Sequence, residues 1–101
     1  MKTLPANVAL YKSTPEFNQE SVPAGLLRNH TTAANVWGRI VVHEGSVRYV
    51  IEEPETEEHL LVPGVPGIVE PQVAHHLVIE GPVRFCVEFH RQATPGPAAR
   101  G

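Results

Sequence analysis

Histidine is the residue type that gives this sequence most of its chemical capacity. The chain has 101 residues, of which six are histidine and one is cysteine. It contains no sequence motif of a zinc protease, a thiol pair, a serine hydrolase or a phosphate-binding loop. A metal site would therefore have to be assembled from histidines on separate strands. The six are His30, His43, His59, His75, His76 and His90.

The segment VAHHLVIEG, residues 73–81, holds two of these histidines side by side. Side chains alternate between the two faces of a strand, so His75 shares its face with apolar residues, whereas His76 shares its face with Glu80. This pattern points His75 toward a core and His76 toward a more polar surface. Pro71 fixes a turn just before the strand, and an imidazole held at a rigid strand end suits metal coordination. A hydrogen-bonded structural histidine is the alternative.

The elements that must position these histidines are short strands. Ten prolines and eight glycines interrupt the chain, and the runs between them are rich in β-branched and aromatic residues. No long segment has helical periodicity with capping signals. The pattern predicts an all-β fold, a small sandwich or barrel, with a hairpin turn at Gly45. The predicted strands span residues 7–13, 24–30, 35–43, 46–53, 58–63, 67–71, 75–80 and 82–90.

Length and charge limit the classes of protein that this chain can represent. We predict one domain over residues 1–92 and a flexible Pro/Gly-rich tail over residues 93–101. The net charge of -3 argues against a nucleic-acid partner. We find no signal peptide and no apolar run long enough for a membrane helix, so we expect a cytoplasmic protein without a membrane partner. Cys86 excludes an internal disulfide because it is the only cysteine, and we expect it to be a small buried apolar residue.

Four stretches, taken in order, resemble a known family. They are LPANVALYKSTPEF, VPAGLLRNHTTAANVWGRIVVHEG, GIVEPQVAHHL and VRFCVEFHR. Together they resemble the YeaR/TehB-like domain, a small cupin family that includes an N-terminal domain linked to tellurite resistance. The similarity runs from Leu4 to Arg91. It implies a single-domain cupin, a double-stranded β-barrel or jelly-roll-like sandwich, with a divalent metal at its mouth.

The resemblance also implies which residues bind the metal. His30 and His75 match the family's histidine positions and are its implied ligands. The usual first cupin motif offers two histidines and a glutamate, whereas this sequence has Trp37 and Gly38 where the glutamate is expected. For the missing ligand the resemblance favours Glu88. The other candidates are His76, Glu80 and His90.

Strand periodicity leaves the direction of Glu88 open. Apolar residues alternate with polar ones along residues 82–90, so Phe85 and Phe89 lie on the face opposite Glu88. If the phenylalanines fill the barrel, Glu88 points away from the metal. If they face a second sheet or a partner subunit, Glu88 points into the cavity.

Two or three imidazoles, with or without a carboxylate, suit zinc, iron, nickel or manganese. An incomplete shell leaves positions for a small molecule or anion, and we expect Trp37, Arg28 and His76 to line that ligand pocket. The leading hypothesis is a metal-binding cupin of the tellurite-resistance type that acts in a stress response. One alternative is a metal-dependent cupin enzyme, a dioxygenase, isomerase or hydrolase. The other is a metal-free binding module that forms a homodimer through a sheet.

Overall fold

The computed structural model describes residues 1–92 as two antiparallel sheets that enclose an apolar core. The tail predicted over residues 93–101 lies outside the described residues. The strands are β1 (Val8–Ser13), β2 (Phe17–Asn18), β3 (Val36–Gly45), β4 (Val47–Ile51), β5 (Glu57–Leu61), β6 (Gly67–Val69), β7 (His75–Val78) and β8 (Val83–Gln92). The larger sheet has the order β1-β8-β3-β6, with β2 also paired to β8, and the smaller has the order β5-β4-β7. The prediction of an all-β single domain is confirmed.

The core lies between the inner faces of the two sheets. In β8, Phe85 is 0% exposed and Val87 is 7% exposed. Arg84, which lies between the buried residues Val83 and Phe85, is exposed. The phenylalanine face of β8 is therefore the inner one, since alternate residues of a strand face opposite ways. Burial of these apolar side chains holds the two sheets together. The core cluster comprises Ile40, Val42, Val47, Tyr49, Ile51, Leu61, Val69, Leu77, Val83, Phe85 and Val87.

The strand predicted over residues 24–30 is wrong for most of its length. Residues Ala24–Leu27 form a 3-10 helix, in which the Leu26 N–H donates to the Pro23 carbonyl over 3.0 Å. Proline presets the backbone for such a turn, and this local effect outweighs the apolar run that suggested a strand. The chain returns to an extended conformation at His30.

The predicted hairpin at Gly45 is also wrong, although the glycine has the special backbone expected of it. Gly45 has φ of 77°, and a Cβ there would lie 2.2 Å from the Pro82 carbonyl oxygen. However, β3 and β4 do not pair with each other, because among residues 1–92 β4 pairs with β5 and β7. The turn carries the chain from the larger sheet to the smaller one. Within residues 1–92 no helix is long and apolar enough to cross a membrane.

Candidate metal centre

His30 and His75 meet through a bridge between two extended segments. The His30 N–H donates to the His75 carbonyl over 2.7 Å, and the His75 N–H donates to the His30 carbonyl over 2.9 Å. Two residues that exchange both backbone hydrogen bonds in an antiparallel pair present their side chains on the same face. The two imidazole centroids are 5.2 Å apart with an angle of 84° between the ring planes. Residues 45 positions apart in the chain are thus brought into direct ring contact.

Both rings border a small cavity inside the sandwich. Its volume is about 20 Å³, which is room for roughly one water molecule or one ion. Apart from the two histidines and one threonine its walls are apolar. The lining residues are Leu26, His30, Thr32, Gly38, Ile40, Val69, His75, Leu77, Val87 and Phe89.

His75 is held in a protonation state that suits a metal ligand. Its side chain is buried, with 4% exposure, and its Nδ1 lies 3.0 Å from the Val73 carbonyl oxygen. Because a carbonyl oxygen only accepts, Nδ1 carries the proton and Nε2 keeps a free lone pair. Burial lowers the pKa of His75, with the nearby His30 acting in the same direction. Metal-binding histidines commonly donate their other N–H to a carbonyl in this way.

His30 supplies the second lone pair. Its Nδ1 is buried and has no hydrogen-bond partner among residues 1–92. A buried polar atom without a partner is unfavourable by ~1–3 kcal/mol and calls for an explanation. A ligand shared with the neighbouring imidazole would give the nitrogen a partner.

The spacing of the rings also fits one shared ion. Two imidazoles bound to a tetrahedral ion through nitrogens ~2.1 Å away have ring centroids about 5 Å apart, close to the observed 5.2 Å. The part of the chain that the structure describes contains no group of three or more histidine, cysteine, aspartate or glutamate side chains that could hold a metal. An ion at the pair would therefore have two ligands from this part of the chain, and its other positions would be open.

The structure does not bring Glu88 to the pair. Glu88 lies opposite Arg39 in the β3–β8 register, and its carboxylate is 3.8 Å from the Arg39 guanidinium. Both lie on the outer face of the larger sheet, because Phe85 and Val87 occupy the inner face. Of the two directions that periodicity left open for Glu88, the structure has the outward one.

None of the three residues predicted for the ligand pocket lines the cavity. Trp37 lies opposite His90 on the outer side of the larger sheet, and Arg28 is exposed just after the 3-10 helix. His76 points away from His75, as its alternation predicted, and its Nδ1 is 2.5 Å from the Glu52 carboxylate.

The remaining ligand candidates also lie elsewhere. His90 is buried, with 9% exposure, between Leu10 of β1 and Trp37 of β3 in the sheet register. Glu80 is paired with Arg48 over 3.1 Å. The structure describes a single chain, so the predicted homodimer stays a prediction.

Two residues at the cavity were missed in the sequence. Thr32 lies two positions after His30 in an extended segment, so alternation could have placed both on one side; its hydroxyl donates to the Val36 carbonyl over 2.9 Å. Gly38 gives the cavity its room, since a Cβ there would lie 3.1 Å from the Val69 Cβ. The sequence around Gly38 gives no sign of this role, because Val69, which leaves no room for a larger side chain at position 38, lies on a different strand, β6.

Comparison with known proteins gives a consistent picture. The family model described as the TehB-like domain matches residues 12–87. A crystal structure of a protein from E. coli is similar, with a TM-score of 0.81 and 24% identity over 92% of this chain and 99% of that one. The crystal structure of TehB from Haemophilus influenzae gives a TM-score of 0.78 and 20% identity over 94% of this chain, but this covers only 35% of that protein. At these identities the likeness concerns the fold. Curated proteins gave no significant sequence match.

Proposed function

Because the chain belongs to the TehB-like domain family, we propose that it is a metal-binding domain in which His30 and His75 hold one divalent ion. The observation that carries the proposal is the ring pair itself. Two imidazoles 5.2 Å apart border one cavity, and one of them has a buried nitrogen without a partner. The family resemblance connects the domain with tellurite resistance, and we place its role in a stress response of that kind.

The side chains around the pair define what the site can accept. A divalent ion held by two imidazoles supplies Lewis acidity and open coordination positions. The cavity walls are mostly apolar, and the volume of about 20 Å³ favours a small molecule or anion as the remaining ligand. His75 stays neutral, and so able to bind a metal, because burial lowers its pKa.

The composition of the cavity favours binding over acid–base catalysis. Among the described residues that line it, the two histidines are the only titratable groups. A cupin hydrolase or isomerase would need a general acid or base beside the metal, and Glu88, Glu80 and His76 all lie elsewhere. A small-ligand binding domain therefore agrees best with the geometry.

The proposal is tested by measuring zinc affinity in matched histidine variants. We expect His30→Ala and His75→Ala each to weaken Zn²⁺ binding by about tenfold or more. Loss of a residue that only supports a metal ligand already weakens metal binding by ~10–100-fold, and loss of the ligand itself should weaken it at least as much. His76→Ala is the control, because His76 is the chain neighbour of His75 but faces Glu52. It should bind Zn²⁺ as the unmodified chain does.

Cobalt(II) absorption provides an independent readout of the ligands. Loss of the ligand-field bands in the two test variants but not in His76→Ala would support coordination by the pair. Circular dichroism establishes that each variant is folded. Equal Zn²⁺ affinity in the unmodified chain, His30→Ala and His75→Ala would exclude the site.

A further inference from the structure

A second group of reactive side chains lies on the outer face of the larger sheet, away from the histidine pair. The Cys86 Sγ is 3.9 Å from the His43 Nε2, and the His43 Nδ1 is 2.7 Å from a Glu16 carboxylate oxygen. We call Glu16, His43 and Cys86 the outer relay. The order carboxylate, imidazole, thiol is that of an orienting group, a base and a nucleophile.

The contacts of the two His43 ring nitrogens indicate which of them carries the proton. The Glu16 carboxylate accepts, so the His43 Nδ1 carries a proton and its Nε2 turns a lone pair toward the thiol. The thiol S–H can then donate to Nε2. The same imidazole can take the thiol proton and later return it.

His43 lies at a β-bulge beside the thiol. The β3–β8 register shifts between Val42 and Glu44, so that His43 is the extra residue. Bulges redirect a side chain and occur next to functional sites. In a regular ladder the residue opposite Cys86 is Val41, and His43 would project from the next position along the same face.

The edge of the sheet is interrupted beside Cys86. The strands β1 and β2 pair with β8 on either side of it, through Ser13 with Glu88 and through Phe17 with Phe85. Pro15 and Glu16 stand between them, exposed and outside the ladder. The thiol is thus shielded by a short edge segment, and Cys86 is 9% exposed. Such limited exposure favours small reagents.

Burial raises the pKa of the Cys86 thiol and outweighs the opposite effect of a hydrogen bond with the Ser13 side chain, while the carboxylates of Glu88 and Glu16 add to the rise. The resting group is therefore a thiol, which is a poor nucleophile until a base removes its proton. The nearest such base is the His43 Nε2.

We propose that Cys86 is a reaction site for small peroxides, with His43 as the group that accepts and returns the proton and Glu16 as the positioning residue. The thiol proton passes to His43 as the sulfur attacks one peroxide oxygen. The S–O bond forms and the O–O bond breaks, and the leaving hydroxide takes the proton from His43 to become water. The sulfur is oxidised by two electrons to a sulfenic acid, and the peroxide is reduced to water.

The test compares two reagents on the folded, metal-free chain in the presence of a chelator. Because Cys86 is the only cysteine, hydrogen peroxide oxidation, trapped with dimedone and quantified by mass spectrometry, reports on it alone. Iodoacetamide is the reference, since its iodide leaves without a proton. We expect His43→Gln to slow peroxide oxidation by about tenfold or more, at the low end of the general acid–base range, and to slow alkylation less.

A matched control separates this role from a general effect of losing a histidine. His59 is also paired with a glutamate, Glu57, over 3.0 Å, but it lies on the smaller sheet. His59→Gln should leave both rates unchanged. Glu16→Gln should lower the peroxide-to-iodoacetamide ratio in the same direction as His43→Gln, but by less.

Three results would overturn the proposal. One is a folded chain in which peroxide leaves Cys86 unmodified. Another is an equal peroxide rate with and without His43. The third is an equal fall in both rates, which would show that His43 does not return a proton to the leaving hydroxide, the one proton transfer that only the peroxide reaction needs.

Discussion

The interior histidine pair and the outer relay place imidazoles in opposite electrostatic surroundings. No carboxylate lines the interior cavity among the described residues, and the His75 Nδ1–H is directed at a neutral carbonyl. In the outer relay, His43 contacts the Glu16 carboxylate at 2.7 Å, and both side chains are well exposed. Burial thus lowers the pKa of His75 in the interior, whereas His43 on the outer face lies between a carboxylate and a thiol.

The two faces of one sheet can therefore support two kinds of chemistry. Imidazoles that line an apolar cavity suit metal coordination. An imidazole between a carboxylate and a thiol suits proton transfer. The strand β8 separates them, since it turns Val87 and Phe89 to the cavity and Cys86 to the relay.

The largest effect should come from truncating the inner face of β8. Phe85 is 0% exposed and contacts Phe17 edge to face, with ring centroids 5.7 Å apart. Phe85→Ala should lower the free energy of unfolding by about 3–5 kcal/mol, measured by urea denaturation. Its neighbour Arg84 is exposed, and Arg84→Ala should change stability by no more than about 0.5 kcal/mol. Similar losses in the two variants would contradict the assignment of the faces.

A smaller loss should follow from removing an interior hydroxyl. The Tyr49 hydroxyl donates to the Ile68 carbonyl over 2.9 Å, and its ring packs edge-on against His75 with centroids 5.8 Å apart. Tyr49→Phe leaves a buried carbonyl without its donor, which should lower the free energy of unfolding by about 1–2 kcal/mol. Tyr11 is 40% exposed, so Tyr11→Phe is the control and should leave the urea midpoint unchanged. Equal midpoint shifts would show that the interior bond contributes nothing.

The sequence predicted the direction of some side chains and left that of others open. Alternation placed His75 inward and His76 outward correctly, because the pattern of apolar residues on one strand decides that question. It could not decide the direction of Glu88, because that depends on which face of β8 the other sheet covers. The failure at residues 24–30 came from local turn chemistry, and the failure at Gly45 came from β4 joining the other sheet. The meeting of His30 with His75 was implied by family resemblance alone.

The pH dependence of stability should report on the interior pair. Burial lowers the folded-state pKa of His75 below its ordinary value near 6.5. The unfolded chain therefore takes up a proton first as the pH falls, so stability from this group is present above about pH 6.5 and is lost below it. The loss approaches at most about 1.4 kcal/mol per pH unit and ends below the folded-state pKa.

Urea denaturation with a chelator present, between about pH 5 and pH 8, measures this slope. His75→Gln keeps a polar side chain but removes the titration, so its stability should vary less with pH over the acidic half of the range. A parallel pH dependence in the variant and the unmodified chain would mean that His75 is as easily protonated when folded as when unfolded.

The smallest effect should come from Glu88, the residue whose direction the sequence left open. Its carboxylate is 3.8 Å from Arg39, with both side chains partly exposed, and such pairs contribute only ~0–1 kcal/mol. Because it lies on the face of β8 opposite the cavity, Glu88→Gln should keep Zn²⁺ affinity within about twofold, well short of the loss expected for a direct ligand. His75→Ala, measured alongside by the same titration, shows what loss of a ligand looks like. If Glu88→Gln weakened Zn²⁺ binding as much as His75→Ala does, the carboxylate would have to reach the interior, and the separation of the two histidine environments by β8 would not hold.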